Sequence, residues 1–216
     1  MNNLNKVILT DVDGVLLNWE YAFKVWMEMR GHEFNPDTTD YDIRYRYGVT
    51  KEEGKRLVRT FNESAAIGFL PPLRDAMYYV DLLHRKLGYT FHAITSLSLD
   101  PHAAKLREEN LKKLFGETAF TRVLCIDTGA DKDEALAPYA DSGLMWIEDK
   151  PENAVVGYNL GLESIVIEHG HNMDFAHPDI PVVKGWKKFM KFVQLCKINC
   201  VHSFSNSVGC FYDLQK

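Results

Sequence analysis

The chain lacks most of the features that would take it out of the ordinary globular class. No apolar run approaches the roughly 20 residues that cross a bilayer. The opening residues, Met1-Asn2-Asn3-Leu4-Asn5, have neither the basic nor the apolar region of a secretory leader. A membrane is therefore not expected as a partner, and a cytoplasmic location is. Cysteine is scarce: Cys125, Cys196, Cys200 and Cys210 form no CxxC pair, so neither a zinc site nor a disulfide framework is indicated, and a reducing compartment fits. There is no basic face either. The formal net charge is −5 and acidic and basic residues interleave, which removes the phosphate-neutralising surface that duplex nucleic acid requires. Internal repeats and low-complexity tracts are missing too. What is present is a chain of 216 residues, 46% hydrophobic and 12% aromatic, long enough to bury one substantial core and to carry an inserted subdomain.

Short apolar runs recur at Val7-Ile8-Leu9, Phe91-His92-Ala93-Ile94, Val123-Leu124-Cys125-Ile126, Leu144-Met145-Trp146-Ile147 and Ser164-Ile165-Val166-Ile167. Each reads as a buried strand. Helical spacing fills Met77 to Leu87, Pro101 to Leu114 and Pro151 to Asn159, with both prolines in a first turn, where a missing N–H is harmless. The alternation predicts an α/β fold, a Rossmann-like parallel sheet with helices on both faces. The interval from about Asn18 to Leu70 is too long for a plain crossover. It reads as a small helical cap inserted after the first strand, with Trp19, Phe23, Trp26 and Arg30 on one helix and Gly54, Leu57, Val58 and Phe61 on another. Asn35-Pro36-Asp37-Thr38-Thr39-Asp40 is a turn-rich connection between them, and Pro71-Pro72 marks the return. The expected organisation is a core domain of residues 1–17 and 71–195, a cap of residues 18–70, and a polar tail of residues 196–216 without clear period, for which disorder is open.

In an open α/β sheet, ligands bind beyond the carboxyl ends of the strands, and four of the five runs end in reactive groups. The first leads into Asp11-Val12-Asp13-Gly14, the second into Thr95-Ser96, the third through Asp127-Thr128-Gly129-Ala130-Asp131 to Lys132, and the fourth into Glu148-Asp149-Lys150. Brought together, they make an acidic pocket containing a lysine. Phosphoryl transfer needs that combination, because an anionic nucleophile must approach an anionic phosphate. A Mg²⁺ held by hard oxygen ligands neutralises the repulsion, Lys132 adds a second positive charge, and the Thr95 hydroxyl can donate a hydrogen bond. Two carboxylates then divide the work. Asp11, ionised beside the cation, attacks phosphorus; Asp13, with a raised pKa, protonates the leaving alkoxide and later deprotonates water. Gly14 leaves room for a tight turn.

The ordered set Asp11-Val12-Asp13-Gly14-Val15, Thr95-Ser96, Lys132 and Glu148-Asp149 resembles the four motifs of the haloacid-dehalogenase-like superfamily, over about Lys6 to Ile167. That resemblance implies a Mg²⁺ site with Asp11 and Asp149 as side-chain ligands and Asp13 as a backbone ligand. Thr95, Ser96 and Lys132 would hold the phosphate, and Glu148 would stand behind the metal or reach it through water. Within the superfamily the chain is similar to the 5′(3′)-deoxyribonucleotidases. The residues that carry this are Asp11 to Leu16 followed by Trp19, then Ile67-Gly68-Phe69-Leu70-Pro71-Pro72-Leu73, Asp131-Lys132, Ile147 to Lys150, and Trp186 near the C-terminus. It implies a nucleotide, a small phosphate monoester, as substrate, with Trp19 against the base and Phe69 as a further substrate-binding residue. Glu148, where those enzymes tend to have a second aspartate, and the divergent cap depart from the pattern. A sugar phosphate, a nucleic-acid 3′-phosphate and a silent nucleotide-binding module are the rivals, and a homodimer is left open.

Plainer readings stand beside these. Asp-x-Asp-Gly faintly resembles a calcium loop but lacks its later glutamate at set spacing, and Lys150 rivals Lys132 as the phosphate contact. Phe23 and Trp26 repeat at helical spacing and read as packing. The loop histidines His169, His171 and His177 read as hydrogen-bonded side chains rather than metal ligands.

Overall fold

The alternating runs produce one six-stranded sheet in the computed structural model, which describes residues 6–38 and 42–202, with side chains through residue 194. Its strands are β1 (Val7–Thr10), β2 (Thr90–Ser96), β3 (Phe120–Ile126), β4 (Met145–Glu148), β5 (Glu163–Ile167) and β6 (Val182–Val183). They lie in the order β3-β2-β1-β4-β5-β6, all parallel. The α/β fold expected from the sequence is the one observed. β6 was not anticipated, since two residues are too few to show a period. Every residue of β1 is buried, as a central strand covered on both faces requires. The chain runs from β1 outward to β3 and then crosses back to place β4 on the other side of β1. Successive connections diverge between β1 and β4, and that is where a crevice opens at the carboxyl ends of such a sheet.

Local signals set the helix boundaries. α1 (Trp19–Glu28) starts at Asn18, whose side chain accepts from the Tyr21 amide, and it buries Phe23, Trp26 and Met27. α2 (Ile43–Tyr47) starts at Asp42, and α3 (Lys51–Asn62) at Thr50. The buried positions of α3 are Gly54, Leu57, Phe61 and Asn62, one stripe at helical spacing. A 3₁₀ segment follows at Ala65–Phe69. α4 (Ala76–Asp81) runs on into a π-helical turn at Leu82–Lys86. Pro101 and Pro151 occupy the first turns of α5 (Pro101–Phe115) and α7 (Pro151–Asn159), and α6 (Asp133–Leu136) is a single turn between them. α8 (Trp186–His202) carries helix past residue 195, where the tail was expected to begin; it continues from an anchored start, the Trp186 and Lys187 amides donating to the Asp75 carboxylate. The remainder of the tail lies outside the described residues.

The segment between β1 and β2 shares its hydrophobic cluster with the sheet: Phe23, Trp26, Leu57 and Phe61 belong to the same buried group as Ile8, Val12 and Phe91. Polar contacts fix its end over the carboxyl edge of the sheet. Asn62 donates to the Leu97 carbonyl, Ser98 donates to Glu63, and Arg59 pairs with Asp127 at 3.0 Å.

Candidate active site

β1 and β4 deliver carboxylates to the two sides of the crevice. The Asp11 amide donates to the Ile147 carbonyl at 2.8 Å, which carries the ladder one residue past the strand and pins Asp11 against the strand that ends in Glu148. The chain then turns sharply at Gly14, where φ is +78° and a Cβ would lie 2.3 Å from Asp149 Oδ2. Only glycine lets the backbone pass that close to the carboxylate. Three further bonds hold the loop: the Trp186 indole N–H donates to the Val15 carbonyl, the Leu73 amide to the Leu16 carbonyl, and His169 Nε2 lies 2.6 Å from the Gly14 carbonyl.

Asp11, Glu148 and Asp149 each offer a carboxylate oxygen, all within 4.8 Å of one another. Lys132, 1% exposed, reaches in from the start of α6 and sits 2.7 Å from Asp11 Oδ1 and 3.0 Å from Glu148 Oε2. Asn153 donates to the other Glu148 oxygen at 2.8 Å. Three carboxylates against one ammonium leave an excess of negative charge in a buried place. Burial, followed by the charge of Asp11, pushes the Glu148 carboxyl up to about 7 in spite of Lys132. Burial, then Glu148 and Asp11, holds Asp149 well above the usual carboxylate range. Burial alone would lower the Lys132 ammonium, but Asp11 and Glu148 outweigh it and raise it. Hard oxygen donors with surplus negative charge and no sulfur suit a hard divalent cation such as Mg²⁺. Asp11 and Asp149, the expected side-chain ligands, both belong to the group. Glu148, expected behind the metal, brings an oxygen as near as theirs while accepting from Lys132 and Asn153.

Asp13 turns elsewhere. Its carboxylate accepts from both ends of the Arg107 guanidinium, at 2.6 and 2.9 Å. Burial raises its pKa, Arg107 pulls the other way, and Asp11 adds to the rise. Arg107 is fully buried on α5 and was not anticipated. The available signal was a charged residue inside the stripe Ala103, Arg107, Asn110 and Leu111, all of which are buried.

Thr95 is fully buried, and its Oγ1 has no hydrogen-bond partner among the described residues, an unusual condition for a buried hydroxyl. Ser96, expected to hold phosphate with it, donates its hydroxyl to the Ala130 carbonyl at 2.9 Å and so ties down the loop leading to Lys132. His169 and His171 stack on each other and meet the backbone carbonyls of Gly14 and Asp149. Asn172 also donates to the Asp149 carbonyl. These residues brace the loops that carry the carboxylates. His177 lies against Tyr158 instead.

The two cap residues fare differently. Trp19 stacks on Phe23 at 4.6 Å, meets the edge of Phe61 at 5.4 Å, and donates its indole N–H to Asn62 Oδ1. One face is thereby used in packing the cap. Phe69 is 72% exposed, with the Lys113 ammonium 5.4 Å from its ring.

No protein-family model matches the chain. An uncharacterized 32.4 kDa protein from the Gp30-rIII intergenic region of Enterobacteria phage T4 is 28% identical over 137 residues, covering 61% of this chain and 48% of that protein. The chain thus spans about half the length of the curated relative it matches. Among solved structures, the haloacid dehalogenase-like hydrolase SP0104 of Streptococcus pneumoniae superposes with a TM-score of 0.59 at 16% identity, covering 87% of this chain and 98% of that one. YfnB of Bacillus subtilis, a HAD-hydrolase bound to magnesium, gives 0.59 at 12% identity over 88% and 98%. CbbY of Rhodobacter sphaeroides, in complex with phosphate, gives 0.55 at 15% over 85% and 96%. L-2-haloacid dehalogenases are similar in the same way. The fold is that of the haloacid-dehalogenase-like hydrolases.

Proposed function

We propose that the chain is a Mg²⁺-dependent phosphomonoesterase that works through an aspartyl-phosphate on Asp11, with a (deoxy)ribonucleoside 5′-monophosphate as leading substrate. The observation that carries this is the convergence of Asp11, Glu148 and Asp149 on one another, with Lys132 between two of them. Mg²⁺ bound by Asp11 and Asp149 would supply charge neutralisation for the phosphate oxygens. An Asp11 oxygen attacks phosphorus, the bond from phosphorus to the alcohol oxygen breaks, and the departing oxygen takes the proton of Asp13. Water then attacks the phosphorus of the acyl phosphate and gives its proton to Asp13, which frees inorganic phosphate and the Asp11 carboxylate. Lys132 shifts part of its charge from Asp11 to the phosphate, and the unpartnered Thr95 hydroxyl donates to it. The resemblance of Trp19 and the Ile67 to Leu73 stretch to the deoxyribonucleotidases favours a nucleotide.

The packing of Trp19 against Phe23 favours a second reading, in which the mechanism is unchanged and the substrate is a sugar phosphate. A panel of nucleoside 5′-monophosphates, nucleoside 3′-monophosphates, sugar phosphates and p-nitrophenyl phosphate, at equal concentration with Mg²⁺, separates the two. Asp11→Asn is expected to lose turnover by about 10³-fold or more on whichever is used. Absence of wild-type turnover on every member of the panel would sink the proposal.

A further inference from the structure

Arg107 belongs to none of the motifs discussed, yet it is a fully buried cation in direct contact with a residue of the site. We infer that Arg107 is a positioning residue for Asp13, fixing the plane of its carboxyl group so that the oxygen site facing away from the fork, where the acid carries its proton, meets the leaving oxygen. This rests on the phosphomonoesterase reading.

The geometry carries it. α5 is anchored at its start by Asp100, which accepts from the His102 amide, and farther along by Asn110, which donates to the Leu70 carbonyl. Its buried face places the Arg107 stem between Ala103 and Leu111. From that fixed stem both terminal nitrogens reach the two Asp13 oxygens at 2.6 and 2.9 Å, and a planar fork on a planar carboxylate leaves one favoured orientation. The Asp13 side chain keeps 22% of its surface exposed while Arg107 keeps none, so the pair is anchored on the arginine side and the aspartate alone retains access to solvent. A carboxylate offers about four lone-pair sites, and the fork occupies two. Arginine also suits the task chemically: a guanidinium does not give up its proton in proteins, so it orients an acid–base group without becoming a rival proton store. Both terminal nitrogens are engaged on Asp13, while the buried Nε has no hydrogen-bond partner among the described residues.

A residue acting through the general acid betrays itself by sensitivity to the leaving group. The value of kcat/KM covers the steps through departure of the alcohol. An alkoxide needs a proton there, whereas p-nitrophenolate scarcely does. Arg107→Lys keeps the charge and most of the stem and is the variant to use, with circular dichroism and thermal melting to confirm that it folds. It is expected to lower kcat/KM for an alkyl phosphate by about 100-fold and for p-nitrophenyl phosphate by less than about 5-fold, with inhibition by inorganic phosphate unchanged. In an Asp13→Asn background the same substitution should add no further loss. Equal losses on the two substrates, weakened inhibition by phosphate, or an additive loss in the Asp13→Asn background would each overturn the inference. A wild type inactive on both substrates brings down the phosphatase reading and this inference together. Wild-type turnover with the wrong ratio in the variant overturns the inference alone.

Discussion

Magnesium should stabilise this protein strongly above neutral pH and weakly below it. The carboxyl group of Glu148 sits at about 7 in the fold, against an ordinary value of 4.5. A carboxyl raised by folding costs nothing below its unfolded value, where both states are protonated. As pH rises from 4.5 toward 7 the unfolded chain ionises first, so the metal-free fold loses stability over that window and stays at the lower level above it. The loss from Glu148 alone is about 3 kcal/mol, and Asp149, raised by the same burial and the same neighbours, shifts in the same direction. A divalent cation in the Asp11, Glu148 and Asp149 group removes the repulsion and displaces the protons. For a chain of this size about 3 kcal/mol corresponds to roughly 6–12 °C in Tm. The assay is thermal unfolding with and without Mg²⁺, at pH 8 and at pH 5. Comparing the two samples at each pH cancels His92, which burial lowers and which tilts stability the other way. His169 and His171, lowered likewise beside the carboxylate loops, add to the expected difference, because a cation there opposes their protonation at pH 5. The expected result is a rise of several degrees at pH 8, less than half of that at pH 5, and a smaller pH dependence in Glu148→Gln, where Asp149 still contributes through its burial. No rise at pH 8, or the same rise at both values, would refute the electrostatic reasoning.

Gly14→Ala places a Cβ 2.3 Å from Asp149 Oδ2 at a positive φ, so the backbone or the carboxylate must give way. The variant is expected to lose about 1–3 kcal/mol of stability in chemical denaturation and most of its Mg²⁺-induced rise in Tm; a variant that retains the full rise would show that Asp149 is not held against the loop. Thr95→Val removes a hydroxyl that has no partner, so stability should change by less than about 1 kcal/mol. The inhibition constant for inorganic phosphate, measured in the turnover assay, should rise by about 10-fold, one lost hydrogen bond to a charged group; unchanged inhibition would remove Thr95 from the phosphate site.

The fold was legible because its signal is local. Val7 to Leu9 and Ser164 to Ile167 are buried on both faces of the sheet, as are Phe91, Ala93 and Ile94 around a half-buried His92, and a strand of that kind must be largely apolar wherever its neighbours lie. The convergence of Asp11, Lys132, Glu148 and Asp149 was legible for a related reason. Once strands alternate with helices the sheet is parallel, so residues following the strands gather at one edge without any knowledge of the contacts. The cap was visible as a length: the interval after β1 exceeds a crossover and carries helical periods of aromatic residues.

Tertiary structure decided which side chain meets which. Asp13 and Asp11 are two residues apart yet pair with different cations, because the turn at Gly14 and the position of α5 send one to Arg107 and the other to Lys132. Arg107 is 94 residues from its partner, and nothing in its neighbourhood beyond a charge within an apolar stripe announces the pair. The same holds for Ser96, which gives its hydroxyl to the Ala130 carbonyl, for Trp19, which spends a face on Phe23, and for the histidines that brace Gly14 and Asp149. Burial of an apolar run is imposed by water, which is everywhere. A hydrogen bond or an ion pair between distant residues depends on angles and distances of a few ångströms, set only when the whole chain has packed.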